Sequence, residues 1–286
     1  GLLTETEVDI VEMLRRPETA IRGYRLLSHL GHGGMGVVFR ARQTTFDRVV
    51  ALKTVLVGPQ AFPTVLARFE QEARTIGRLV HPHLVTAYDY GSSQGRLYLA
   101  MEFVDGQDAK AWLVDRHPVD ENVVWGIIRQ AASGLAYAAS AGVIHRDVKP
   151  ANLLLVTPPP GFPLPIGWPL VKVADFGLAL LQDEADERTR LTRDNTTVGS
   201  PQYMAPEQLQ GTAVDLRADL YSLGATAYHL LAGRAPFDKL PLQQLYFAKI
   251  TGEPTPLKDL RNDLSPATLD LVSQLMQREP ADRMPD

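Results

Sequence analysis

Glycines at 31, 33 and 36 stand between two strand-like runs, Tyr24–Leu30 and Val37–Ala41. Glycine lets backbone N–H groups approach an anion with no Cβ in the way. A dinucleotide-binding crossover needs a helix directly after such glycines. Here Val37-Val-Phe-Arg-Ala41 carries the β-branched and aromatic content of a strand instead. The pattern excludes that fold and leaves two options: an ordinary glycine-rich hairpin, or a hairpin lying over a nucleotide.

The strand signal continues through Val49–Val55. Apolar residues then recur at helical spacing from Phe62 to Leu79, at Phe62, Leu66, Phe69, Ala73 and Ile76. Leu84–Tyr90 and Leu97–Phe103 read as two more strands around a Gly91–Gly95 turn. Beyond Gly106 the pattern turns helical, with Asn122–Ala141, Leu216–Ala232 and Pro266–Gln277 as helices. Val8, Val11 and Leu14 have helical spacing ahead of Pro17. Residues 1–23 are therefore either a short amphipathic helix or a loosely docked extension. Thr157–Pro169 contains six prolines and two glycines. So many missing donors forbid a regular element, which makes the stretch a surface loop. A small strand-rich lobe thus precedes a larger helical one, as a length of 286 residues allows.

Composition excludes several chemistries. The chain has no cysteine, so disulfides, thiolate zinc sites and cysteine nucleophiles are ruled out. A net charge of −4 is a poor footing for general nucleic-acid binding, and no such partner is expected. No apolar run reaches the ~18 residues of a membrane span. The best candidate, Leu220–Gly233, follows Asp219 and contains His229, and reads as a core helix. The chain begins at Gly1 rather than Met, which suggests a segment excised from a longer protein that carries its targeting elsewhere.

Three clusters carry chemistry. Val50-Ala-Leu-Lys53 sets a lysine in an apolar strand; facing inward, it needs a carboxylate, and the following helix offers Glu70 and Glu72. His145-Arg-Asp-Val-Lys-Pro-Ala-Asn152 packs a carboxylate, two cations and an amide between the apolar flanks Gly142–Ile144 and Leu153–Val156. Asp175-Phe-Gly177 follows the strand-like Leu170–Ala174. Asp147, Asn152 and Asp175 together offer hard oxygen ligands and a proton acceptor, a set suited to Mg²⁺ chemistry on a phosphate.

In this order, with Ala205-Pro-Glu207 downstream, these segments resemble the protein-kinase signature set, most of all the eukaryotic-type (Hanks-type) Ser/Thr kinases found in bacteria. The resemblance runs from about Tyr24 to Arg283. It implies an α+β, bilobal protein-kinase fold: residues 24–104 a β-rich N-lobe with one regulatory helix, residues 105–286 a helical C-lobe with its last helix truncated. It also implies an ATP-dependent Ser/Thr kinase. Gly31, Gly33, Gly36, Val38 and Ala51 would line the nucleotide site, with Met101 as gatekeeper and Glu102–Val104 as the adenine-binding hinge. Lys53 would hold the α- and β-phosphates and pair with Glu72. Asp175 and Asn152 would hold Mg²⁺, or Mn²⁺ in its place. Asp147 would accept the substrate proton, and Lys149 would offset charge at the γ-phosphate. Asp219 would hold the catalytic-loop backbone, Phe176 would have a structural or regulatory role, and Glu207 would pair with Arg283.

The lysine two residues after Asp147, together with Gly199-Ser-Pro-Gln-Tyr203, resembles the Ser/Thr rather than the tyrosine class. Ser200 stands where the family usually has threonine, and its hydroxyl would bond Asp147 and Lys149. Arg146 before Asp147 implies an anion from the activation segment. Thr192 and Thr196 lead as autophosphorylation sites, with Thr197 and Thr189 behind them. One departure is the 23-position separation of Asn152 from Asp175, which places Thr157–Pro169 as an insert, more simply an inert loop than a partner-binding one. The expected partners are ATP, protein substrates and a second copy for trans-autophosphorylation. The expected location is cytoplasmic, or the cytosolic part of a membrane-anchored protein. The alternatives are a nucleotide-binding pseudokinase and a small-molecule kinase of the same fold.

Overall fold

The computed structural model of the chain describes residues 4–33, 36–57, 62–176 and 200–284. They form two compact units: residues 4–80 with 85–104, and residues 81–84 with 105–176 and 200–284.

The first unit is built on an antiparallel sheet of β1 (Tyr24–Gly33), β2 (Gly36–Gln43), β3 (Arg48–Leu56), β4 (Ala87–Ser93) and β5 (Arg96–Glu102), in the order β1-β2-β3-β5-β4. Strand alternation gives each face its own core. Val50 and Leu52 of β3 join Phe39, Val37, Leu26 and Ala100 on one face. Ala51 and Val55 lie on the other, with Leu97, Leu99 and Met101, beneath Phe69 and Ala73 of helix α2 (Phe62–Ile76). The same parity places Lys53 on the α2 face.

Helix α1 (Glu5–Arg15) closes the first face. Thr4 and Glu7 form a capping box, and Ile10 and Met13 enter the core. Asp9 holds Arg96 through both carboxylate oxygens. The extension is docked, but not by the face expected from spacing: Val8, Val11 and Leu14 are exposed. The strand before β5 is also shifted. Leu84 makes only a single parallel bridge to Val173, while Gly91–Ser93 belong to β4. The β4–β5 turn shrinks to Gln94-Gly95, both at positive φ (51° and 75°), the two-residue geometry that suits strand twist.

The second unit is largely helical: α3 (Ala109–Val114), α4 (Glu121–Ser140), α5 (Pro206–Gln210), α6 (Leu216–Ala232), α7 (Leu242–Thr251) and α8 (Pro266–Leu275). A small sheet of β6 (Gln107–Asp108), β7 (Leu153–Val156) and β8 (Leu170–Val173) flanks the loops described below. With a β-sheet unit and a helical unit, the chain is of the expected α+β class.

Thr157–Pro169, between β7 and β8, holds no helix or strand but is anchored. The Trp168 ring lies so close to Gly126 of α4 that a methyl there would sit 2.1 Å from Trp168 Cζ3. Gln130 donates to Pro169 O at 3.0 Å and accepts from Val171 N at 3.1 Å. Ile166 stands fully exposed at the tip. Gly126→Ala is expected to displace Trp168 and cost about 1–3 kcal/mol of unfolding free energy. Urea unfolding followed by tryptophan fluorescence reads both effects, and an unchanged midpoint and emission would refute the packing.

Candidate active site

The loop from Gly142 to Asn152 has few regular backbone bonds, so side chains must fix it. Val143 and Val148 anchor it in the core. Asp219 of α6, 1% exposed, takes His145 N–H at 2.7 Å and Arg146 N–H at 2.8 Å, one per carboxylate oxygen. Burial pushes its carboxyl pKa up, and the two N–H donors with their neighbouring positive charge work against that shift. The bonds also hold Arg146 at φ 66°, a left-handed conformation that a non-glycine residue keeps only where its surroundings impose it.

His145 couples this loop to the segment after β8. Its Nδ1 accepts from Asp147 N–H at 3.2 Å, which leaves the proton on Nε2 to donate to Ala174 O at 2.9 Å. The Phe176 ring meets the imidazole edge-on at 4.5 Å and is buried. Ala174 N–H bonds Asn152 O at 2.8 Å. Asp175, between these anchors, is held at φ 64°.

Three predicted residues meet at one atom. Lys149 Nζ lies 2.7 Å from Asp147 Oδ2. Asn152 Nδ2 donates to the same oxygen at 3.1 Å and to Asp147 O at 2.8 Å. The carboxylate is thereby clamped at Oδ2. With its amide nitrogen committed to Asp147, Asn152 could offer an ion only its oxygen. An amide oxygen and the Asp175 carboxylate are hard donors, too few to cage an ion alone. That fits Mg²⁺, which takes one or two carboxylates and completes its shell with phosphate oxygens and water.

Beyond Ser200, whose carbonyl accepts from Tyr203 N–H at 2.9 Å, α5 returns to the loop. Gln208 donates to Arg146 O at 2.9 Å and accepts from Ala205 N–H at 3.0 Å. Glu207 is joined to Arg283 at 2.6 and 2.8 Å, both buried. Thr189, Thr192, Thr196 and Thr197 lie outside the described residues.

Three residues carry structure here in roles that spacing and composition did not assign. Tyr203 hydroxyl bonds His229 Nδ1 of α6 at 2.5 Å with the rings stacked, and Lys249 of α7 is buried beneath the same segment. Burial first, then the charge of Lys110, holds the His229 pKa down to about 4 against the opposing Asp238. The unfolded imidazole takes its proton near pH 6.5, before the folded one does. Stability is therefore full above that pH and is lost as pH falls toward 4, by up to about 3 kcal/mol. Urea unfolding between pH 7 and 4.5 should show a shallower slope for His229→Gln; equal slopes would contradict this assignment.

In the first unit, Gly31 and Gly33 of β1 face Val38 and Gly36 of β2, and Val38 faces Lys53 of β3. Gly36 is obligatory: its φ is 119° and a Cβ would meet Thr54 O at 2.1 Å. Lys53 is 4% exposed, and Ala51 faces the buried Met101 across β3 and β5. Glu102 pairs with Thr86 through its backbone at 2.8 Å and its carboxylate at 3.3 Å, and Val104 closes the unit half-buried. Glu72 lies on α2, the helix that covers the Lys53 face.

A family model described as protein kinase domain matches residues 24–285. The chain is 40% identical over 263 residues to the serine/threonine-protein kinase pkn3 of Myxococcus xanthus, covering 91% of this chain and 47% of that protein. It is 38% identical over 264 residues to the serine/threonine-protein kinase PknF of Mycobacterium tuberculosis, covering 91% and 53%. The chain thus spans about half the length of these curated relatives. The crystal structure of the Mycobacterium tuberculosis PknI kinase domain matches with a TM-score of 0.68 at 32% identity, covering 92% of this chain and 91% of that one.

Proposed function

This chain belongs to the protein kinase family, and we propose that it transfers the γ-phosphoryl group of ATP to serine or threonine hydroxyls of proteins. The observation that carries the proposal is the clamp on Asp147 Oδ2 by Lys149 and Asn152, on a loop whose backbone Asp219 holds. Phosphoryl transfer needs little covalent help from a protein; it needs a positioned acceptor and charges that match the transition state. Asp147 Oδ1 orients the acceptor hydroxyl and takes its proton. Lys149 adds positive charge where the transferred group carries its negative charge. Asp175 and Asn152 would hold Mg²⁺, or Mn²⁺ in its place, which would supply neutralising charge at the phosphates. In the first unit, Lys53, supported by Glu72, is assigned to the α- and β-phosphates. Gly31, Gly33, Gly36, Val38 and Ala51 are assigned to the nucleotide, and Met101, Glu102 and Val104 to its base.

We assign Arg146 to an anion supplied by autophosphorylation at Thr192 or Thr196, with Thr197 and Thr189 next, between two copies of the chain. The setting is cytoplasmic, on the cytosolic side of any membrane the whole protein reaches. Among the described residues no helix is long and apolar enough to cross a bilayer. Incubation with MgATP and a serine/threonine peptide library, read by mass spectrometry, tests the proposal. Phosphorylated peptides and modified loop threonines are expected. Bound ATP with no phosphorylated product would overturn it in favour of a pseudokinase.

A further inference from the structure

Lys249 is a buried cation that the proposed chemistry leaves unused. It is 2% exposed, on a helix whose other residues are mostly apolar. Its Nζ donates to Pro201 O at 3.0 Å and Gln202 O at 2.7 Å, and lies 4.9 and 5.8 Å from the ring centres of Tyr221 and Phe237. Burial, and then the charge of Arg283, pushes its pKa down to about 7, against the pull of Glu207. Burying an ammonium costs hydration that two carbonyl bonds return only in part. An ammonium retained here is therefore better explained by what it holds than by the stability it adds.

It holds two consecutive carbonyls of one segment. The next residue, Tyr203, is fastened separately to His229. Gln208 then ties the far end of that segment to Ala205 N–H and Arg146 O, one residue from Asp147. A serine Oγ is two bonds from its own Cα, so a chain presenting its hydroxyl to Asp147 must run close beside the backbone joined to that loop. Among the described residues, 200–208 is one such stretch, tied to Arg146 O, and Ala174 beside Asn152 is another.

We propose that Lys249 is a positioning residue for the polypeptide substrate: by fixing the Pro201 and Gln202 carbonyls, it keeps the segment tied to the catalytic loop in the one conformation on which the acceptor chain can lie. This rests on the phosphotransfer reading above. A segment without the clamp samples other conformations. Apparent peptide affinity then falls in proportion to the fraction left competent, and ATP affinity does not.

The test is steady-state kinetics on the chain of residues 1–286, with a phosphorylatable peptide and with ATP varied in turn. Lys249→Met, which keeps length and removes the donors, is expected to raise the peptide KM about 10-fold or more while the ATP KM stays within about 2-fold. Lys249→Gln, a shorter stem with an N–H donor, should fall between Met and wild type. Circular dichroism establishes that each variant folds. Unchanged peptide KM, or a parallel rise in both KM values, overturns the proposal while leaving the phosphotransfer reading in place. Unfolding of both variants makes Lys249 part of the scaffold and also overturns it. A wild-type chain that phosphorylates no peptide removes the phosphotransfer reading and this proposal together.

Discussion

Asp147→Asn is expected to slow phosphoryl transfer to a serine peptide by about 10²- to 10⁴-fold, with ATP affinity held within a few-fold. The substitution preserves shape. An asparagine oxygen still accepts from Lys149 Nζ, now 2.7 Å from Asp147 Oδ2, and the loop keeps its two bonds to Asp219. What disappears is a basic oxygen at the position that receives the hydroxyl proton, together with one negative charge beside Lys149 and Asn152. The loss should therefore fall on the chemical step. Single-turnover phosphorylation with saturating MgATP separates that step from binding. A rate within about 3-fold of wild type would remove Asp147 from the role of base.

Arg283→Met is expected to lower the unfolding free energy by about 3–5 kcal/mol. The guanidinium is fully buried and bonds both oxygens of Glu207. It also donates to the carbonyls of Gln277, Arg217 and Arg278, at 2.8 to 2.9 Å. Deleting it strands a buried carboxylate and three acceptors at once. The pair's net contribution is smaller than this cost, because both ions lose hydration on burial. Glu207→Gln combined with Arg283→Met should therefore be less damaging than Arg283→Met alone. Urea unfolding of the two variants reads the difference. A loss below about 1 kcal/mol for Arg283→Met would mean that the carboxylate finds water or another partner.

The parts of this chain that are readable from sequence are those whose determinants are local. Leu216–Ala232 stands as a helix at the boundaries its pattern predicts, with Asp215 accepting from Arg217 N–H at its start and Gly233 at its end. Asp147, Lys149 and Asn152 lie within six residues of one another, so their convergence needs only one loop to fold. Gly91–Ser93 mislead for a related reason. Glycine and serine favour turns locally, yet pairing with Arg96–Tyr98 keeps these residues in β4. In α1 the spacing of Val8, Val11 and Leu14 is a true helical signal attached to the wrong face. Asp9 meeting Arg96, 87 positions away, sets the rotation that buries Ile10 and Met13. Lys249 carries no local mark at all, and His229 marks only a core helix, not its bond to Tyr203. A lysine in an apolar helix reads as a surface residue until tertiary packing covers it, and only then do the carbonyls of Pro201 and Gln202 become its partners. Asp219 stood out only through the family resemblance, since nothing near it in sequence indicates that it accepts N–H groups 73 and 74 positions away.

The measurement that bears most directly on the account is product stoichiometry: ADP released against phosphate recovered on peptide serine or threonine, from γ-labelled ATP and Mg²⁺, in one reaction. The account predicts one phosphohydroxyl for each ADP, and loss of both products together in Asp147→Asn. ADP appearing with free phosphate and unmodified peptide, or ATP bound indefinitely with neither product formed, would contradict it.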